Sequence, residues 1–335
     1  MGHKVKRLKD RNRPIIFVVE SGGLCGGVRV ILEYLNRLHE RGWHVEVYSL
    51  DQNKPSWFPL HTGIPWWKFA NYGHLVRHLA ERDAFKVATW WKTAYAVAEA
   101  SKAGEGFYLI QDIEMSYYTA PKQQEEVSDS YNLGLTHFTT SKWVKNKLPG
   151  THYVGIGLDL DLYRPLTARR QINAILSLSR PQRLKGWSLH CEVYRKLHHT
   201  KKFALRTFGV MGVHPPFSTP LPQGISDEEL VQWYNRTGIF LSTSQHEGFS
   251  LTLIEAMACG AVVVCTDADG NMQFCRDKEN SLVVPFGDAN ALVSACEYLL
   301  DNPDALIKLQ GAGFETAQQW PWEPVIDRLE ALFSD

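Results

Sequence analysis

The sequence predicts an α/β protein made of two doubly wound parallel sheets in series. Three observations carry this prediction. The chain has 335 residues, more than a single hydrophobic core usually serves, so two domains are expected. Short β-branched apolar runs alternate with segments of helical periodicity, the pattern of strand, crossover helix and parallel strand. At residues 155–171, GIGLDLDLYRPLTARRQ, glycine, proline and charge interrupt that alternation, after which it begins afresh.

The elements follow in order. RPIIFVVESGG, residues 13–23, is an apolar run closed by a glycine pair, as a buried parallel strand would be. In the next stretch Val28, Ile31, Leu32, Leu35 and Leu38 recur at helical spacing, Gly42 closes the helix, and Val45 and Val47 begin a second strand. This is one right-handed crossover unit. AFKVATWW with TAYAVAEA, GFYLIQD, and HFTTSKWVKNKL continue the first sheet. INAILSLSR, FALRTFGV, GIFLSTS, AVVVCTD and SLVVPF supply the strands of the second, with DEELVQWY and NALVSACEYLL among its helices. The first domain is expected at 1–163, with a C-terminal helix at about 318–335 packing back on it, and the second at 164–317. Ligands of such sheets gather beyond the carboxyl ends of the strands, so chemistry is expected in a crevice between two facing domains.

Composition excludes several classes. Formal net charge is zero, which argues against a dedicated nucleic-acid binder. Lys4, Lys6, Arg7, Lys9, Arg11 and Arg13 concentrate basic charge at the N-terminus, either as a solvated tail or as a contact with anionic lipid at the membrane surface. Neither a spanning apolar stretch nor a signal-peptide pattern is present, so a cytoplasmic protein is expected, with peripheral membrane contact through that basic segment as the alternative. The six cysteines, at 25, 191, 259, 265, 275 and 296, form no C-x-x-C pair and read as reduced, buried thiols. No H-E-x-x-H occurs among the histidines, and no metal site is expected.

Two loops and one motif could carry chemistry. ESGGLCGGVRV fails the G-x-G-x-x-G pattern, since Leu24 stands where the second glycine is required, which weakens a dinucleotide reading. Gly26 and Gly27 lead directly into a helix, a geometry that either presents bare N–H groups to an anion or simply makes a tight turn. SLSRPQRLKGW places Arg180, Arg183 and Lys185 just after a strand end. In HEGFSLTLIEAMACGAVVV, residues 246–264, Ser250 suits a helix N-cap and the helix is expected to begin at Leu251. Glu255 lies inside that helix. Glu247 lies before the cap, too early to act as a first-turn partner of the helix dipole, and small Gly248 leaves the backbone beside it open. Carboxylates accept only, so Glu247 and Glu255 suit sugar hydroxyls, while N–H groups and these cations suit a diphosphate.

GGLCGGVRVILEYL, SLSRPQRLKGW and EGFSLTLIEAMACGAVVV together resemble a retaining GT-B glycosyltransferase of the large E-x7-E family, which includes mannosyl-, glucosyl- and rhamnosyltransferase-like members. The resemblance runs from about residue 14 to 330 and implies two Rossmann-like domains facing across a crevice. It implies that Glu247 binds donor-sugar hydroxyls, that Glu255 binds the nucleotide ribose, and that Phe249, Ser250, Leu251 and Thr252 meet sugar and phosphates through backbone groups. Arg180 and Lys185 match the family's cations on the diphosphate, Gly26 and Gly27 its N-domain glycines, and Gly209 the strand end that cradles the base. Two departures stand out. Gln111-Asp112 replaces a His-Asp motif, and DADGNMQF, with Asp269, Gly270 and Gln273, replaces G-G-x-x-E.

The resemblance implies transfer of a hexosyl group from a UDP-, GDP- or dTDP-linked sugar to a saccharide, lipid-linked or other hydroxyl acceptor, in polysaccharide biosynthesis, with retention and without metal or other cofactor. Trp90 and Trp91, at a strand's carboxyl end, are read either as an acceptor-stacking pair with Gln111 and Asp112 or as core. A nucleotide-sugar epimerase and a non-catalytic nucleotide-sugar-binding protein are the alternatives.

Overall fold

A computed structural model describes residues 13–51 and 54–334. The basic residues Lys4, Lys6, Arg7, Lys9 and Arg11 lie outside them. Arg13, expected to belong to the same tail, instead makes ion pairs with Asp83 at 2.9 Å and Glu105 at 2.7 Å.

The chain divides into two units, one ending at Ile156 and resuming at Glu323, the other spanning Gly157–Trp322. Against the expected divisions at 163/164 and near 318, these boundaries are set by packing. Leu158 and Tyr163 are buried in the second unit's core beside Leu176, Phe240 and Leu253. Leu158 N–H also donates to the Trp320 carbonyl at 2.7 Å, which ties both crossing segments to that unit.

The first unit holds a seven-stranded parallel sheet: β1 (Ile15–Val19), β2 (Val45–Ser49), β3 (Trp66–Lys68), β4 (Phe85–Ala88), β5 (Gly106–Ile110), β6 (Thr136–Thr139) and β7 (His152–Tyr153). Its order is β3-β2-β1-β4-β5-β6-β7, so strand order reverses between β1 and β4. The helices that position the candidate residues are α1 (Gly26–Glu40), α2 (Tyr72–Ala80), α3 (Trp91–Ala100), α4 (Pro121–Ser130) and α5 (Lys142–Lys147). β1, β2, β4 and β5 are buried throughout, as strands covered by helices on both faces must be. Helix α1 buries Ile31, Leu32, Leu35 and Leu38 on one stripe and ends where Gly42 takes a left-handed φ of +85°, a conformation cheap only for glycine.

The second unit holds β8 (Gln171–Leu178), β9 (Ala204–Phe208), β10 (Thr219–Pro220), β11 (Thr237–Ser242), β12 (Val262–Thr266) and β13 (Leu282–Val284), all parallel, in the order β10-β9-β8-β11-β12-β13. Between them run α6 (Trp187–Thr200), α7 (Asp227–Arg236), α8 (Leu251–Ala258), α9 (Ala289–Asp301) and α10 (Pro303–Ala317). Here the order reverses between β8 and β11, which makes the loops after these two strands neighbours.

Helix α11 (Glu323–Leu332) returns to the first unit. Arg41 pairs with Asp327 at 2.6 Å and Glu330 at 2.8 Å, Arg328 Nε donates to the Val154 carbonyl at 2.7 Å, and Phe333 packs against Trp43, Phe85 and Phe107. Four of the six cysteines are buried, but Cys25 is exposed, contrary to the sequence expectation, because it occupies the N-cap of α1, where its Sγ accepts from Val28 N–H at 3.5 Å. No helix among the described residues is long and apolar enough to cross a membrane.

Buried Phe333 anchors the returning segment together with Val325, Ile326 and Leu329, so Phe333→Ala is expected to cost about 3–5 kcal/mol of stability, read as a lowered urea midpoint. A loss below about 1 kcal/mol would show that this ring does not hold α11.

Candidate functional site

The strand reversal in the second unit brings together the loop after β8, carrying Arg180 and Lys185, and the loop after β11, carrying Ser244 to Ser250. Their approach is close. Gly186 has a φ of +66°, and a Cβ there would stand 1.8 Å from the Thr243 carbonyl oxygen, so no other residue fits. Gln245 and His246 N–H both donate to the Leu184 carbonyl, at 2.9 and 3.0 Å. Between the loops lies a pocket, open to solvent, whose lining includes Arg180, Lys185, His190, Thr243, Ser244, Glu247, Ser250 and Thr252.

Glu247 is held at both oxygens. Lys185 Nζ donates to Oε2 at 2.8 Å and Ser244 Oγ donates to Oε1 at 2.7 Å. Lys185 also reaches the His246 carbonyl at 3.4 Å. Arg180 and Lys185 against one carboxylate leave the lining net positive, suited to an anion. Helix α8 begins at this wall. Ser250 is its N-cap, as expected, but its hydroxyl makes no capping bond, so the amides of the first turn are not served by that side chain and the positive end of the helix dipole faces the pocket. His190 on the wall was not foreseen from the sequence. Its Nε2 lies 2.8 Å from Ser177 Oγ, and burial, followed by His214, pulls its pKa down to about 3, so it contributes a neutral imidazole. No periodicity or spacing signals such a role.

The remaining expected residues fall outside this lining. Glu255 is buried in the second turn of α8, where Oε2 accepts from Tyr234 OH at 3.0 Å. Burial first, and then Glu255, push the Tyr234 phenol well above its ordinary range. Phe249 packs its ring against Phe274 and Trp320 at 5.2 and 5.1 Å, and Leu251 opens α8. Gly209 follows β9, and a Cβ there would stand 2.5 Å from the Ser179 carbonyl oxygen, so this glycine answers a close approach of two strand ends.

In the first unit Gly26 and Gly27 open α1, and Gln111 Nε2 donates to the Gly27 carbonyl at 3.1 Å. Asp112 is buried and accepts from Tyr117 OH at 2.6 Å and from Ile113 N–H at 2.8 Å. Trp90 is half-buried and stacks on Tyr117 with centroids 6.0 Å apart. Trp91 is core: it is buried, and its indole N–H donates to Tyr118 OH at 2.9 Å. The strand ends at Ala88, so Trp90 is the helix N-cap and Trp91 the first helical residue, and the pair does not alternate across a sheet. Beneath them, Glu114 accepts from Trp91 N–H at 2.8 Å and Tyr108 OH at 3.0 Å. Burial, reinforced by Asp112 and Glu20, raises its carboxyl to about 8.

The chain has the GT-B fold. It superposes on sucrose-phosphate synthase from Thermosynechococcus elongatus with a TM-score of 0.80 at 18% identity, covering 96% of this chain and 98% of that one. Anabaena HepE, solved in complex with UDP-glucose, gives 0.76 at 16% identity, covering 95% and 98%. Residues 219–316 match the family of glycosyl transferases group 1. D-inositol 3-phosphate glycosyltransferase 1 of Catenulispora acidiphila is 27% identical over 213 residues, 54% of this chain and 51% of that protein. MMP alpha-(1->4)-mannosyltransferase of Mycolicibacterium hassiacum is 26% identical over 195 residues, 54% and 47%. The chain spans about half the length of the curated relatives it matches.

Glu114 yields a pH prediction. In the unfolded chain its carboxyl ionises near its ordinary value of 4.5, whereas the folded one keeps its proton to about 8. Between these limits the unfolded state binds fewer protons, so stability falls as pH rises, by up to about 1.4 kcal/mol per pH unit from this group. Glu114→Gln is expected to remove that slope between pH 5 and 8 in urea titrations. Parallel pH profiles for variant and wild type would refute it.

Proposed function

We propose that this protein is a retaining hexosyltransferase that moves a sugar from a nucleotide diphosphate donor to a hydroxyl acceptor. The observation that carries the reading is the convergence of Arg180, Lys185, Glu247, Ser250 and Thr252 on one pocket beside the start of α8. In this reading Arg180 and Lys185 take the diphosphate, the α8 amides and Thr252 take phosphate oxygens, and Glu247 accepts from sugar hydroxyls. Lys185 already bonds Glu247, so it is placed to bridge carboxylate and phosphate. Glu255, held by Tyr234, is assigned to the ribose on the family resemblance, Gly209 to the base, and Gly26 and Gly27 to the phosphates.

The anomeric carbon loses its bond to the diphosphate oxygen and gains one to the acceptor oxygen, whose proton passes to the departing phosphate. The protein supplies placement and charge, which are worth most in a site shielded from water. Two side-chain cations offset the charge that grows on the leaving group, which supports a reaction without metal. For the acceptor, a saccharide or lipid-linked hydroxyl, the half-buried Trp90 stacked on Tyr117, with Gln111 and Asp112 nearby, is the surface of choice; buried Trp91 supports it from beneath. The relatives' names, an inositol-phosphate glycosyltransferase and a mannosyltransferase, fit this class.

The test is a thermal-shift screen against UDP, GDP, dTDP and their sugars, since a ligand at 100 times its Kd adds about 2.7 kcal/mol to the folded state. A stabilising donor should then support transfer that persists in EDTA; activity lost to EDTA and restored by magnesium would overturn the metal-free reading. Arg180→Ala is expected to lower turnover about a hundredfold, roughly 2–4 kcal/mol in the transition state. Unchanged donor binding and turnover in Glu247→Ala would remove the pocket from the mechanism.

A further inference from the structure

The segment DADGNMQF, residues 267–274, departs from the pattern of the resembling family, yet it lies against the peptide that carries Glu247. Its short 3-10 turn, Asp269–Gln273, meets that peptide at three points. His246 Nδ1 lies 2.7 Å from Asp269 Oδ2, Gly270 N–H donates to the Glu247 carbonyl at 2.7 Å, and Gln273 Nε2 donates to the Gly248 carbonyl at 3.1 Å. A Cβ at Gly270 would stand 2.3 Å from the Gly248 oxygen and 2.5 Å from the Glu247 oxygen, so the glycine is required by space. Because a carboxylate only accepts, His246 must carry a proton on Nδ1.

The turn contributes nothing to the pocket lining. It fixes the backbone on both sides of Glu247 from behind, while Ser244 and Lys185 fix the carboxylate from the front. A loop glutamate must be held within about 0.5 Å to accept hydroxyl hydrogen bonds reproducibly, and loops not tied down in this way are mobile.

From this bracing we infer that His246 and Asp269, together with Gly270 and Gln273, are positioning residues that aim Glu247 at the donor's sugar, so that the turn governs sugar recognition and not nucleotide recognition. The inference rests on the donor reading of Glu247. Two arms of one experiment separate the two.

The first arm needs no ligand. Amide hydrogen exchange at Gly270 is expected to accelerate about tenfold in Asp269→Ala, with the melting temperature unchanged, and to return towards wild type in Asp269→Asn, whose side-chain oxygen still accepts from Nδ1–H. The second arm is calorimetric titration with UDP and with UDP-glucose. Asp269→Ala should weaken UDP-glucose about tenfold while leaving UDP within about twofold, and Asp269→Asn should recover most of the loss. Equal weakening of both ligands, no weakening of either, or an Asn variant as impaired as Ala would overturn the positioning role. If wild-type protein binds neither ligand, the UDP-sugar form of the donor reading fails, and the exchange arm decides the bracing by itself, unchanged Gly270 exchange overturning it.

Discussion

The candidate site depends on one close approach, the backbone of Gly186 against the carbonyl of Thr243. Two loops that leave neighbouring strands can share a pocket only if they come together without a side chain between them, and here even one Cβ would block the contact. The left-handed turn at Gly186 also starts α6 and sends Lys185 towards Glu247. That ion pair is 2.8 Å long, with both side chains less than a fifth exposed, so it is shielded from much of the screening that weakens surface pairs.

The two glutamates of one motif are separated by the start of α8. Glu247 precedes the helix, lines an open pocket and is held by a lysine and a serine hydroxyl. Glu255, two turns on, points into the core and is held by a phenol. A carboxylate in each setting meets a different cost of desolvation. The first is satisfied by a cation and remains next to solvent, while the second relies on Tyr234, whose proton the burial itself keeps in place. Only the first lines the pocket.

The first unit shows the same division between open and supported groups. Trp90 and Tyr117 stack where a ring could still approach, and Trp91, Tyr108, Tyr131 and Glu114 form the hydrogen-bonded layer below them. Glu114 takes the N–H of the first helical residue, a donor that every helix leaves unserved, and does so as a largely neutral acid at physiological pH.

Much of this was legible in the amino-acid order. The strands from Ile15, Val45, Phe85, Gly106, Gln171, Ala204, Thr237 and Val262 could be read, as could helix α1 and the run of α8, because alternation and helical spacing are properties of adjacent residues. Short edge strands such as Trp66–Lys68 leave no such trace, having too few residues to show a period. Local order also could not say that Trp91 turns inward, that His190 lines the pocket or that Asp269 stands behind Glu247. Which residue types follow each strand is written along the chain. Which of those loops meet is settled only by packing, since β8, ending at Leu178, lies beside β11, beginning at Thr237, and neighbourhood across a sheet follows strand order and not chain order.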